Sequence, residues 1–244
     1  MATYGLIGRS LGHSFSKEYF TEKFKREARD DQYLNFELQS IVDFKQLIKD
    51  NPDIKGLNVT IPYKEAIIPF LHELDAEAKD IGAVNTICNK NGRLIGYNTD
   101  VYGFRQSIKP FLRNVHEKAL ILGTGGAAKA VTFVLENLGV EIFYLTRNPK
   151  APNEFAYSEA NELMLKTCKL IVNCTPLGTH PITDEMPPIP TEFIAENHLV
   201  IDLIYNPAET KLLKIAKSQG ADILNGMTML REQAEASFRI WNAQ

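Results

Sequence analysis

Short apolar runs alternate with longer amphipathic stretches in the first hundred residues of the chain. The apolar runs predict strands at residues 4–7, 34–38 and 57–60. The amphipathic stretches predict helices at residues 16–28, 41–49 and 64–71. Ser16 and Ser40 stand where an N-cap residue would begin the first two helices. Strands that alternate with helices favour an α/β fold, in which parallel strands carry helices on the sheet.

A second unit of the same kind is predicted from about Asp100 onward. Its strands are expected at residues 118–122, 141–145, 170–173 and 199–203, with a helix at 127–138 that Gly139 closes. Residues 180–190 contain four prolines and are expected to form a loop. Residues 229–241 have an amphipathic pattern, with one helical face formed by Leu230, Ala234, Phe238 and Trp241. We expect this last helix to cross back to the first unit.

Composition narrows the class of protein. The chain has 244 residues, 44% of them hydrophobic, with a net charge of −3 and no basic run, so a nucleic-acid partner is not expected. No apolar run approaches the ~18 residues of a membrane helix, and the first residues lack the pattern of a signal peptide. We therefore expect a cytoplasmic protein without a membrane partner. Three cysteines without CxxC spacing, and histidines without ligand spacing, argue against a disulfide framework and a metal site.

Three segments pair a glycine with small polar residues, at positions 56–60, 82–86 and 96–100. If each segment ends a parallel strand, the polar side chains gather at the carboxyl edge of one sheet, where open α/β sheets bind ligands. Asn, Asp, Thr and Gly also favour turns, so three ordinary turns are an equally consistent interpretation.

Gly123, Gly125 and Gly126 lie between a predicted strand and a predicted helix, which is the context of a dinucleotide-binding loop. Glycines permit the tight turn, and the helix N-terminus offers N–H groups and a positive dipole end to a pyrophosphate. A plain strand-to-helix turn is the alternative.

The end of the next predicted strand indicates the choice of cofactor. An NAD site usually has an acidic residue there for the ribose hydroxyls. This chain instead reads Thr146-Arg147-Asn148, and Glu141 lies at the start of the strand. The planar guanidinium of Arg147 suits a 2′-phosphate, and Lys150 follows closely. The pattern favours NADP, with an ordinary surface arginine as the alternative.

Several short strings are more specific than the glycine loop. In chain order they are GHSFS at 12–16, NVTIPYK at 58–64, GAVNT at 82–86, GYNTD at 96–100, NCTPLG at 173–178, DLIYNP at 202–207 and NGMTML at 225–230. In this order and spacing they resemble the shikimate dehydrogenase family, over residues 4–241. The resemblance implies an N-terminal α/β substrate domain and a Rossmann-type, doubly wound dinucleotide-binding domain, with the active site in the cleft between them. The substrate domain would comprise residues 1–100, closed by the C-terminal helix at 226–244, and the NADP domain residues 101–225.

The resemblance also implies a role for individual residues. Ser14 and Ser16 match the serines that hold the substrate carboxylate. The other positions that match the shikimate pocket are Thr60, Asn85, Asp100, Tyr205 and Gln233. Lys64 and Asp100 match the catalytic pair. The positions that match the cofactor site are Gly123, Thr124, Gly125, Gly126 and Ala127 at the pyrophosphate, Thr146, Arg147, Asn148 and Lys150 at the adenosine phosphate, and Leu203 and Gly226 beside the nicotinamide.

These residue types suit the implied chemistry. A cyclic polyol carboxylate needs hydroxyl and amide groups in fixed places, and Ser, Thr, Asn, Gln and Tyr supply them. Removal of a hydride from a secondary alcohol leaves a proton, which a lysine–aspartate pair can hold and relay. The residues leave open which member of the pair takes that proton.

The implied activity is the reversible NADPH-dependent reduction of 3-dehydroshikimate to shikimate, in the biosynthesis of chorismate and the aromatic amino acids, by a monomer or homodimer. A quinate/shikimate dehydrogenase that uses NAD is the nearest alternative. A non-catalytic metabolite-binding protein on the same fold is a third, but Lys64 and Asp100 argue against it because such a protein needs no proton-handling pair. The departures from the family pattern are Val101, Thr146, Thr179 and Thr228.

Overall fold

The computed structural model describes residues 1–12 and 15–243. Packing divides the chain into two compact units, one formed by Met1–Thr99 with the chain from Ala234 onward, the other by Asp100–Gln233. Each unit has its own six-stranded sheet. The functional domain boundaries expected from the family, at 100/101 and 225/226, stay predictions.

The first unit contains a mixed sheet. Its strands are β1 (Thr3–Gly8), β2 (Gln32–Glu37), β3 (Ile54–Val59), β4 (Glu73–Leu74), β5 (Thr86–Lys90) and β6 (Arg93–Tyr97), in the spatial order β2-β1-β3-β5-β6-β4. β1 pairs in parallel with β2 and β3, as the alternation of strands and helices predicts. β5 runs antiparallel to both β3 and β6. Asn91 and Gly92 form the two-residue turn between β5 and β6, both with positive φ, which is the geometry of a tight hairpin.

The helices of this unit differ from the predicted ones at their ends. They are α1 (Phe15–Arg26), α2 (Phe44–Asp50), α3 (Tyr63–Ala66) and α4 (Ala76–Ile81). A fifth helix, α5 (Thr99–Ile108), begins at Thr99, where the first segment of this unit ends. The prediction of Ser16 as an N-cap is wrong: Ser16 lies inside α1, because the helix already includes Phe15, whose ring stacks on Tyr19 one turn later with centroids 5.5 Å apart. The stretches predicted at 41–49 and 64–71 each combine a short α-helix with a 3-10 turn, at Ile41–Asp43 and Ile68–Phe70.

Both faces of the first sheet are covered, which is why β1 is buried along its whole length. On one face Ile7 packs with apolar residues of β3, α2 and α3. On the other face Tyr4 and Leu6 pack with Phe20 of α1 and with Trp241, near the end of α9 (Met227–Asn242). The indole of Trp241 lies so close to Gly56 that any side chain there would overlap it. The predicted C-terminal amphipathic helix is thus present and contributes an aromatic anchor to this core.

The second unit contains a parallel sheet of the expected doubly wound type. Its strands are β7 (Lys118–Leu122), β8 (Glu141–Thr146), β9 (Glu154–Ala156), β10 (Leu170–Asn173), β11 (Leu199–Asp202) and β12 (Asp222–Asn225), in the spatial order β12-β11-β10-β7-β8-β9. Its further helices are α6 (Gly126–Asn137), α7 (Glu162–Thr167) and α8 (Lys211–Ser218). The strand order reverses between β7 and β10, which is the point where such sheets bind dinucleotides. Each strand predicted for this unit is found.

Two negative observations apply to residues 1–12 and 15–243. None of their helices has the length and hydropathy needed to cross a membrane. They contain no cluster of three or more His, Cys, Asp or Glu side chains able to hold a metal ion.

Candidate active site

Lys64 lies in the short helix α3, just beyond the carboxyl end of β3. Several contacts fix the backbone around it. The hydroxyl of the preceding Tyr63 donates to the carbonyl of Leu38 at 2.5 Å, and the N–H of Val84 donates to the carbonyl of Lys64 at 2.7 Å. Thr60, which follows β3 directly, donates its N–H to the end of β1 at 2.9 Å. The predicted lysine and threonine therefore share one edge of the first sheet.

Asn85 lies at the same edge of the first sheet, although it does not end a parallel strand. Residues 82–86 do not end a parallel strand: they lead into β5, which runs antiparallel to β3. The start of an antiparallel strand lies beside the carboxyl end of its neighbour, so Asn85 is beside Val59, whose N–H donates to the Asn85 carbonyl at 2.8 Å. The side chain of Asn85 is almost fully buried. The structure thus brings Asn85 together with Thr60 and Lys64.

Of the two serines expected at the substrate carboxylate, the structure describes one. Ser14 lies outside the described residues, whereas Ser16 is buried in the first turn of α1. Burial raises the pKa of the Tyr33 phenol, and a hydrogen bond from Ser16 partly offsets this. The Tyr33 hydroxyl in turn donates to Asn58 Oδ1 at 2.8 Å. Ser16 is therefore linked to the string that carries Thr60, through Asn58, a residue to which sequence reasoning assigned no role.

In the second unit, Asp100 and Gln233 lie on two helices in direct contact. Asp100 is buried in the first turn of α5, where the helix dipole interacts favourably with an acidic side chain. Gly103 lies one turn later, and a Cβ there would be 2.5 Å from the carbonyl oxygen of Met229 and 3.1 Å from the Cβ of Gln233, both on α9. Only a glycine permits this approach of the two helices. Tyr205 follows β11 in the same unit and is partly exposed.

The loop from Gly123 to Gly126 has the geometry that a pyrophosphate site requires. Gly123 has a φ of +93°, which favours glycine, and its N–H donates to Leu145 in β8 at 2.8 Å. Gly125 is the extended N-cap of α6, and no atom lies within 4 Å of the place where its Cβ would be. The 12-residue helix α6 starts at Gly126, with Ala127 next. The exposed loop and the helix N-terminus together offer backbone N–H groups to an anion, so these residues fit the phosphates of a dinucleotide.

The end of β8 carries the residues expected at the adenosine phosphate. Thr146 is buried, whereas Arg147, Asn148 and Lys150 are exposed. Burial raises the pKa of Tyr157 to about 12, and the positive charge of Arg147 acts in the opposite direction, which places the guanidinium near that phenol. The edge is not purely cationic, since the Lys150 N–H donates to the Glu154 carboxylate at 2.7 Å.

The two backbone positions expected beside the nicotinamide touch each other. Gly226 is buried between β12 and α9, and a Cβ there would lie 2.0 Å from the carbonyl oxygen of Leu203. The Gly226 N–H donates to the carbonyl of Ile204 at 3.0 Å. These contacts hold the segment after β11 against the segment after β12.

Asp202 organises this region, although sequence reasoning did not assign it a role. Its fully buried carboxylate accepts hydrogen bonds from Thr210 Oγ1 at 2.7 Å, Asn173 Nδ2 at 3.0 Å and the Ile204 N–H at 3.1 Å. Desolvation raises the pKa of Asp202, and these three donors act against that rise. The same Asn173 accepts from the N–H of Thr175 at 3.0 Å. Asp202 thereby connects the carboxyl ends of β10 and β11, and its place in the DLIYNP string is the signal that could have revealed it.

Comparison with known proteins agrees with this architecture. Residues 6–87 match the family model of the shikimate dehydrogenase substrate binding domain. The chain is 40% identical to the shikimate dehydrogenase (NADP(+)) of Carboxydothermus hydrogenoformans, over 97% of this chain and 90% of that protein. The structure of shikimate 5-dehydrogenase from Thermus thermophilus in complex with NADP(H) and shikimate matches with a TM-score of 0.87 at 30% identity, over 99% of this chain and 94% of that one. Quinate dehydrogenase from Corynebacterium glutamicum in complex with NAD matches with a TM-score of 0.88 at 27% identity, over 99% of this chain and 93% of that one. The identity to the Carboxydothermus enzyme over nearly the whole chain shows that this protein belongs to the shikimate dehydrogenase family.

Proposed function

We propose that this protein is an NADP-dependent shikimate dehydrogenase, which reversibly reduces 3-dehydroshikimate to shikimate in the biosynthesis of chorismate and the aromatic amino acids. The observation that carries this proposal is the gathering of Thr60, Lys64 and Asn85 at one edge of the first sheet, in a chain whose second sheet has a glycine-rich loop at its reversal point. We further propose a cytoplasmic monomer or homodimer without a nucleic-acid partner, since the net charge is −3 and no basic run is present.

The cofactor would be held by backbone and side chains of the second unit. The N–H groups of residues 123–127 would bind the pyrophosphate, and Arg147 and Lys150 would bind the 2′-phosphate, with Thr146 and Asn148 beside them. Leu203 and Gly226 would flank the nicotinamide. When bound, NADPH supplies the hydride that the protein itself cannot provide.

The substrate would be held by neutral polar groups, which orient a polyol without adding charge. Ser14 and Ser16 would donate to its carboxylate, and its ring hydroxyls would contact Thr60, Asn85, Tyr205 and Gln233. Lys64 and Asp100 would together take up and return the proton of the reacting hydroxyl, and act as one unit.

A quinate dehydrogenase that uses NAD is the second candidate. The similarity to the Corynebacterium glutamicum structure favours it. The end of β8 argues for NADP instead, because Arg147 stands where an NAD site usually has an acidic residue.

Removal of the proposed proton-handling pair tests the reaction and the roles together. Wild type should reduce NADP with shikimate, and Lys64→Ala and Asp100→Asn should each lower kcat by about 10²–10⁴. The double variant should fall little further, because groups that act as a unit are not additive. A wild type without activity would contradict the function, and fully multiplicative losses would contradict the pair.

A further inference from the structure

Ser237 occupies an unusual place for a serine, in the middle of α9 and fully buried. Its hydroxyl lies 2.7 Å from Thr86 Oγ1 and 3.1 Å from Thr99 Oγ1, and it accepts a hydrogen bond from Asn58 Nδ2 at 2.9 Å. These partners come from the start of β5, the start of α5 and the end of β3. One hydroxyl on the last helix thus contacts three other elements of the first unit.

The same hydroxyls reach the side chain of Asn85. Its Oδ1 accepts from the N–H of Thr99 at 2.7 Å, and from the hydroxyls of Thr86 and Thr99, each at 3.1 Å. A backbone N–H can only donate, so the Asn85 atom that faces Thr99 must be the oxygen. The amino group is then on the other side of the amide, where it can only donate.

This hydrogen-bond network fixes the orientation of the Asn85 amide, which apolar packing alone would not do. Thr86, Thr99 and Ser237 are each almost completely buried, and buried hydroxyls are costly unless they are paired. Alanine would fill much the same space at Ser237 and would suit a helix interior better. The hydroxyl instead completes the pairing of two threonines that hold Asn85. Thr99 is also the residue directly before Asp100 in α5.

We propose that Ser237 is a positioning residue for substrate recognition. Through Thr86 and Thr99 it holds the Asn85 amide so that its N–H groups are presented to an oxygen of a polyhydroxylated carboxylate. The inference rests on the proposed function, and it adds a residue that does not itself touch the substrate.

Shikimate binding measured by calorimetry without cofactor tests this role directly. Ser237→Ala should weaken the Kd for shikimate about tenfold, as expected for one misdirected hydrogen bond to the ligand. The Kd for NADP should be unchanged, because the five residues of the network, Asn58, Asn85, Thr86, Thr99 and Ser237, all belong to the first unit. Ser107→Ala is the matched control: the hydroxyl of this buried serine of α5 donates to the carbonyl of Phe104 in its own helix, at 2.8 Å, and its loss should leave the Kd for shikimate unchanged.

The same Ser237→Ala change made in Asn85→Ala protein separates an effect on the position of Asn85 from a general loss of stability. In Asn85→Ala protein, the added Ser237→Ala change should have little further effect on shikimate affinity, since its influence passes through Asn85. If Ser237→Ala does not fold, Thr99→Val and Thr99→Ser replace it. The valine should weaken shikimate binding and the serine, which keeps the hydroxyl, should not.

Three results would overturn the inference alone: unchanged shikimate affinity in Ser237→Ala, the same loss with or without Asn85, or equal affinities in the two Thr99 variants. A wild-type protein that binds no shikimate would overturn the proposed function and this inference with it.

Discussion

Gly226→Ala is the substitution whose effect the structure defines most closely. The new Cβ would lie 2.0 Å from the carbonyl oxygen of Leu203 and 2.6 Å from its carbonyl carbon. Real Cβ atoms essentially never approach another atom within 3.0 Å, so the Leu203 backbone would have to move by about 1 Å. Because the obstacle is backbone, no side-chain rotation can relieve the overlap.

The expected loss of activity in Gly226→Ala follows from the position of the Leu203 backbone in the proposed nicotinamide site. Overpacking of a buried position costs typically about 1–3 kcal/mol, which a protein of ordinary stability, about 5–15 kcal/mol, survives. Displacement of a positioning group by about 1 Å can cost roughly 100-fold in rate. We therefore expect Gly226→Ala to fold, to lose about 100-fold in kcat, and to bind NADP more weakly.

Gly139→Ala is the matched control, because it should lower stability without displacing the Leu203 backbone. Gly139 belongs to the same unit, has a φ of +78° and has no atom within 4 Å of its Cβ position. The strain of a left-handed alanine should cost about 1 kcal/mol. Urea unfolding, the Kd for NADP and kcat should be measured for both variants. A folded Gly226→Ala protein with the kcat and NADP affinity of wild type would refute the assignment of Leu203 and Gly226 to the nicotinamide.

Two further predictions concern single charged residues. Arg147→Ala should weaken NADP binding about tenfold or more and leave NAD binding nearly unchanged, because a guanidinium binds a 2′-phosphate through charge-assisted hydrogen bonds. The measurement is kcat/KM with each cofactor, with the exposed Arg113→Ala as control. An equal loss of kcat/KM with both cofactors would exclude a phosphate-binding role for Arg147. Glu235→Gln should cost about 1 kcal/mol of stability at neutral pH: burial acts to raise the pKa of Glu235, but hydrogen bonds from Tyr19 and Lys23 outweigh it, so the pKa is lowered. The stabilisation is present above the ordinary pKa and is lost as the pH falls through the lowered value, so urea unfolding of variant and wild type should converge in acid. The exposed Glu22→Gln is the control and should leave the free energy of unfolding at neutral pH nearly unchanged.

Local sequence signals account for most of the fold. Each predicted strand of the second unit is present, because a short apolar run before a glycine or polar segment is typical of a buried parallel strand. Of the two interpretations left open for residues 82–86, the one that makes them end a parallel strand is wrong, and a local signal for the correct arrangement exists. Asn91-Gly92 is the dipeptide most typical of a two-residue hairpin, and it makes β5 and β6 antiparallel.

The side-chain networks could not be predicted from the sequence, because they depend on contacts between distant segments. Ser237 is separated by 179 residues from Asn58 and by 151 from Thr86. Ser237 is an ordinary small polar residue with no pattern around it, and the strings that contain Asn58 and Thr86 give no sign of a contact with it. Asp202 also lies within a recognisable string, yet its role depends on Asn173, 29 residues away. The family resemblance names residues expected to contact ligands, whereas the structure reveals the buried residues that pack and hydrogen-bond around those positions.

We propose that shikimate and NADP are the preferred substrates of this protein. An initial-rate assay at the absorbance band of the reduced nicotinamide tests it, with shikimate and quinate each combined with NADP and NAD at one fixed ionic strength, since charge–phosphate contacts are screened by salt. We expect the highest kcat/KM for shikimate with NADP. An equal or higher kcat/KM for quinate with NAD, or no rate with any combination, would contradict it.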